Sequence, residues 1–140
     1  MATRSSVRYF CKAALCALAA GGSISASAQQ FEILFIRNYS ISSGVRGFWM
    51  QSDINPNGWA CFPIDPPKLL PDGEAIPSVN KSQVVVQNMS YSFYALSSTD
   101  CSNGGQRINK LSMRHYKVTK LNAHGLNVNI TDYGLDTGQN

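Results

Sequence analysis

Strict two-residue alternation constrains this chain most. In residues 125–131, Leu126, Val128 and Ile130 fall on one side of an extended backbone, and Asn127, Asn129 and Thr131 fall on the other. That is the period of a strand with one buried and one wet face. Residues 90–96 repeat it, with Tyr91, Phe93 and Ala95 opposite Ser92, Tyr94 and Leu96. Residues 31–37, FEILFIR, are apolar on both faces apart from Glu32, which suits a strand covered on both sides. Residues 83–87 are rich in β-branched valine, and residues 45–51 and 58–62 are aromatic-rich strand candidates. Residues 107–121 read as one long or bulged strand, or as two, with Leu111, Met113 and His115 alternating against Lys110, Ser112 and Arg114.

Turn residues separate these runs: Ser42-Ser43-Gly44, Asn55-Pro56-Asn57-Gly58, Ser102-Asn103-Gly104-Gly105 and Ala123-His124-Gly125. Asn57-Gly58 is a strong tight-turn signal, because both residues tolerate positive φ. Residues 63–77 hold five prolines and one glycine, which reads as one long irregular loop. Residues 132–140 show no period and read as a loose tail. The pattern predicts an all-β fold: a single-domain antiparallel sandwich or small barrel of about seven or eight strands.

Residues 1–28 carry the marks of a secretory signal peptide. Arg4, Arg8 and Lys12 precede the small apolar run AALCALAA at 13–20, and Ala26-Ser27-Ala28 presents small residues before a cut at Gln29. The apolar run is much shorter than the ~20 residues a spanning helix needs, so no transmembrane segment is expected. Cleavage leaves residues 29–140 as one secreted domain, periplasmic in a bacterium.

Removing the leader changes the apparent chemistry. The whole chain has 12 basic and 8 acidic residues. Three of the basic ones lie in the leader, leaving nine against eight, and a whole-protein case for nucleic-acid binding fails. Of the four cysteines, Cys61 and Cys101 remain. In an exported chain they read as one disulfide. A loop of about 40 residues closed in this way stabilises a fold by roughly 4 kcal/mol in the chain-entropy model.

Four sequons follow the leader, at Asn38, Asn80, Asn88 and Asn129. Each can accept an N-glycan, and four is a mild excess over chance that points toward a secreted glycoprotein. Residues 107–120 hold Arg107, Lys110, Arg114, His115, Lys117 and Lys120 and no acid. They form either a contact for an anionic surface, in which Arg114, Lys117 and Lys120 bind, or an ordinary solvated strand face. Trp49, Trp59 and Phe62 either stack on a sugar ring or anchor a partner, or fill the core. Gln51-Ser52-Asp53-Ile54-Asn55 matches the opening of the Q-x-D-x-N-x-V-x-Y mannose motif of monocot bulb lectins. Pro56, Asn57 and Trp59 break the rest, and those lectins repeat the motif three times, so the match reads as accidental.

Catalytic signatures are sparse. His115 and His124 are a weak candidate pair for nuclease-type acid/base work, but His115 shares the apparent inward face of Leu111 and Met113 and is expected in the core. His124 stands in a turn. There is no nucleophile elbow, HExxH, Cys/His cluster or phosphate loop, and no cofactor or metal site is expected. The leading expectation is a small secreted, non-catalytic recognition protein with an extracellular protein or glycan as partner: an effector, elicitor or toxin-like binding domain, with a role in virulence. The alternatives are a two-histidine secreted hydrolase, a periplasmic inhibitor or immunity protein, and a carbohydrate-binding module.

Overall fold

Each alternating run of the sequence becomes a strand. The structure, a computed structural model, describes residues 30–102, 105–119 and 125–138. The leader at 1–28, Lys120 and His124 lie outside the described residues. The strands are β1 (Phe31–Asn38), β2 (Gly47–Ser52), β3 (Trp59–Pro63), β4 (Lys68–Leu69), β5 (Ala75–Ile76), β6 (Ser78–Val86), β7 (Ser90–Leu96), β8 (Arg107–Lys117), β9 (Leu126–Ile130) and β10 (Leu135–Gly138). The described residues contain no α-helix, and so none long and apolar enough to cross a membrane.

Two four-stranded sheets form a sandwich-like arrangement, ordered β10-β9-β1-β6 and β3-β2-β7-β8. Pairing is antiparallel throughout except where β9 joins β1 in parallel, Leu34 opposite Leu126 and Asn38 opposite Ile130. The core lies between the sheets. The first contributes Leu34, Ile36, Val85, Leu126, Val128 and Ile130; the second contributes Phe48, Met50, Tyr91, Phe93, Ala95 and Leu111. Burial of each larger side chain here stabilises the fold by roughly 2 kcal/mol. Tyr91 also ties the sheets by a polar bond, its hydroxyl accepting from the Val86 N–H at 3.0 Å. The FEILFIR strand is covered unequally. Leu34 and Ile36 are sealed in the core, whereas Ile33 on the other face is 37% exposed.

Gly125 enters β9 at φ +84, and a Cβ there would stand 2.5 Å from both the Ile33 carbonyl and the Phe35 ring. Only glycine fits that approach.

The proline-rich segment is not wholly irregular. Residues 68–69 and 75–76 pair as a small hairpin. Its turn closes through Leu70 N–H to the Glu74 carbonyl at 2.8 Å, with Gly73 at φ +87 and the Asp72 carboxylate accepting from the Glu74 N–H. Pro66, Pro67 and Pro77 flank the two short strands, Pro71 occupies the turn, and Pro63 ends the edge strand β3, positions that proline tolerates. The tail is corrected in the same sense. Thr131 Oγ1 accepts from the N–H groups of Tyr133 and Gly134, reversing the chain so that β10 pairs with β9. Alternation cannot reveal a four-residue strand whose outer partner is already polar.

The Asp132 carboxylate organises this corner. One oxygen, Oδ1, accepts from Ser40 Oγ at 2.6 Å, Ser42 N–H at 3.0 Å, Ser43 N–H at 3.1 Å and Ser43 Oγ at 3.0 Å. The hydrogen bonds, led by the Ser40 hydroxyl, hold its carboxyl far below the usual carboxylate range. The loop between β1 and β2 is thereby fastened to the turn between β9 and β10.

Candidate functional site on the outer face of the second sheet

β2 alternates Phe48 and Met50 inward with Trp49 outward, because its aromatic residues occupy both parities. Across the sheet Trp49 stands opposite Cys61 of β3 and Tyr94 of β7. Together with Leu96 they form a second small cluster outside the main core, against which Cys61 and Cys101 pack. Cys61 and Cys101 are joined in a disulfide with Cα atoms 6.0 Å apart. The bridge holds the loop between β7 and β8 over this end of the face, and Leu96 is fully covered although it points away from the core.

Beyond the bridge the face is open. Trp59 lies flat on Trp49, ring centroids 4.8 Å apart and planes within 9°. Trp49 beneath is 8% exposed and Trp59 above is 52% exposed, so the free ring face belongs to Trp59. The buried Nε1–H of Trp49 has no acceptor among the described residues. Next to this stack, Tyr94 is covered by the Arg107 guanidinium, 3.9 Å from its ring centroid, and Arg114 reaches within 6.0 Å. Among the described residues neither arginine is ion-paired with a carboxylate. Phe62 turns the other way and packs against the main core, so the three aromatic residues grouped in the sequence divide between two faces.

The third part of the face is a polar triangle. His115 does not sit in the core as its alternation with Leu111 and Met113 predicts. Between Tyr91↔Tyr116 and Phe93↔Met113 the register slips, so that Arg114 and His115 together oppose Ser92. This β-bulge inserts one residue, Tyr116 takes the inward position, and His115 is thrown outward at φ 57 with its side chain 79% exposed. Its Nδ1 lies 3.0 Å from Asp53 Oδ2. Ser92 Oγ donates to Asp53 Oδ1 at 2.7 Å and accepts from the His115 N–H at 3.3 Å. Asp53 is held in turn by its own N–H to the Ser90 carbonyl at 2.9 Å.

The order of this triangle decides its chemistry. Nucleophilic catalysis needs a histidine nitrogen on the serine hydroxyl and the carboxylate behind the imidazole. Here the carboxylate stands between the two, and the serine proton is directed at Asp53. Ser92 is therefore not activated, and the triangle positions a solvent-facing imidazole. His124, the other half of the proposed acid/base pair, is outside the described residues. No group of three or more His, Cys, Asp or Glu that could hold a metal occurs among the described residues.

A cleft of about 300 Å³ opens between β3 and β6, with Met50, Trp59, Ala60, Val84, Met89 and Tyr91 among its walls. Trp59 stands on its rim and also on the outer face.

The other sequence candidates scatter. Lys117 ends β8 opposite Ser90 and is exposed. Two sequon asparagines have covered amide nitrogens. Asn38 is fully buried, its Nδ2 donating to the Asp65 carbonyl at 3.0 Å, so a glycan has no exit there. Asn80 Nδ2 is likewise buried. Asn129 Nδ2 donates to Asp136 at 2.7 Å on the outer face of the first sheet. Asn88 is exposed in a turn at φ 66.

No protein-family model, curated protein or solved structure matches the chain.

Proposed function

We propose that this is a small secreted, non-catalytic recognition protein acting on a host or competitor molecule, and that the outer face of the second sheet is where it binds. One observation carries the reading. Trp59 is held flat and half exposed on Trp49, beside two arginines that have no carboxylate partner among the described residues. A large exposed aromatic ring loses stabilising apolar contact to water unless a ligand covers it, and aromatic residues with arginine dominate binding hot spots. The disulfide and the small cluster beneath make the face rigid, which lowers the ordering cost of binding.

The test compares two faces of the same protein on immobilised glycans and on intact cells. Trp59→Ala should abolish measurable binding while leaving the thermal midpoint within a few degrees of wild type. Val79→Ser, which alters a half-exposed position on the first sheet away from the cleft that Trp59 borders, should bind as wild type does. Retained binding by Trp59→Ala, or equal loss by Val79→Ser, would refute the assignment.

A further inference from the structure

Resting on that reading, we infer that the ligand is an acidic oligosaccharide, carrying carboxylate or sulfate groups. Three properties of the face specify it together. The free face of Trp59 offers a flat apolar platform, which suits the C–H face of a sugar ring and adds stacking energy beyond burial alone. Arg107 is stacked on Tyr94 at 3.9 Å, so its fork of donors is oriented before any ligand arrives. A guanidinium presents that fork to a carboxylate or sulfate in bidentate geometry. Arg114 stands on the same ring at 6.0 Å, so two cations flank one aromatic ring. The carboxylate near them, Asp53, is engaged by Ser92 and His115.

Register fixes the spacing. The Trp59 ring lies on Trp49, Trp49 stands opposite Tyr94 on β7, and the Tyr94 ring carries Arg107 at 3.9 Å and Arg114 at 6.0 Å. One strand-to-strand step, about 5 Å at ordinary sheet spacing, separates Trp49, which bears the aromatic platform, from Tyr94, which bears the cations. The platform and the cations therefore stand side by side, and the ligand presents a ring face beside an acidic group. Its sugar ring covers Trp59, and an acidic group on that unit or the next meets Arg107 and Arg114. A flat lipid surface would meet the cations but would leave the ring platform without a planar partner.

Tryptophan fluorescence titration of the full chain tests this with defined probes: tetragalacturonate, its methyl ester, a sulfated tetrasaccharide, and phosphatidylserine vesicles. An acidic tetrasaccharide should bind with a change in tryptophan emission, at least tenfold more tightly than the neutral ester. Trp59→Ala and the double variant R107A/R114A should each weaken binding by about tenfold or more, and raising salt should weaken wild type but not the double variant. Circular dichroism melts confirm that the variants are folded; should either be unfolded, Trp59→Phe and the double Arg→Lys variant take their place, with a weaker loss expected. Equal binding of the neutral ester, still lost in Trp59→Ala, overturns the acidic ligand and leaves the binding face standing. Acid-specific binding unaffected by both variants overturns the face itself. Binding to vesicles alone, or to none of the four probes, overturns the acidic-oligosaccharide assignment.

Discussion

Two aspartates gather serine hydroxyls in this protein, at opposite ends of β2, and they do different work. Asp132 accepts from Ser40, Ser42 and Ser43, all through one oxygen. Every partner belongs to the loop that it fastens, and nothing reactive is left facing solvent. Asp53 accepts from one serine and spends its second oxygen on an imidazole that is 79% exposed. The first carboxylate closes the fold; the second presents a side chain. A carboxylate cluster is thus read from where its last hydrogen bond goes, not from its composition.

The largest expected effect lies on the closing side. Asp132→Ala removes the acceptor for four donors in the loop between β1 and β2 and should cost about 2 kcal/mol, since hydrogen bonds to a charged group are stronger than neutral ones. Urea unfolding measures it, and a loss below about 0.5 kcal/mol would make the two aspartates equivalent. Acid sharpens the contrast. Because the Asp132 carboxyl is lowered in the folded state, its contribution is fully present above the unfolded carboxyl value near 4 and fades as pH falls below it. Wild type should therefore lose stability between about pH 4 and 2 more steeply than Asp132→Asn, as followed by pH-dependent unfolding.

Smaller effects are expected on the presenting side. Asp53→Ala should cost about 1 kcal/mol, because Ser92 is buried and loses its acceptor while His115 gains full freedom. The histidine ring resonances should sharpen and shift in NMR spectra, a change that Asp132→Ala should not produce. Smallest of all, His115→Gly should alter stability by less than about 0.5 kcal/mol. It relieves a left-handed conformation at a non-glycine residue, and that gain offsets a weak, exposed ion pair. A loss near 2 kcal/mol would show that His115 also closes the fold.

Much of the fold is legible in the sequence, and the reasons are local. Strands with clean alternation, such as β9 and β7, declare both their extent and their buried face. Cys61 and Cys101 declare their pairing because no other cysteine occurs after residue 28. What fails is parity. A bulge adds one residue without leaving a mark in composition, so every inference downstream of Met113 inverts, and His115 moves from core to solvent. The triangle was equally hidden. Asp53, Ser92 and His115 come from three segments, and Asp53 looks like an ordinary turn residue until β2 and β7 are paired. Trp49 and Trp59 were visible as candidates, but alternation in an aromatic-rich strand leaves either face open to them. Their outward placement depends on which sheet face the partner layer covers.

The parallel pairing of β1 with β9 has a consequence for how the molecule is assembled. β1 is an interior strand of its sheet, yet one neighbour, β6, begins about 40 residues later and the other, β9, about 90 residues later. One lateral edge of β1, the earliest of the described strands, stays unsatisfied until β9 exists, when almost the whole polypeptide has been made. Such high contact order slows the search for the native topology and leaves an apolar strand open to intermolecular pairing in the meantime. The chain therefore commits to its structure late, when its C-terminal strands close the sheet around its first one.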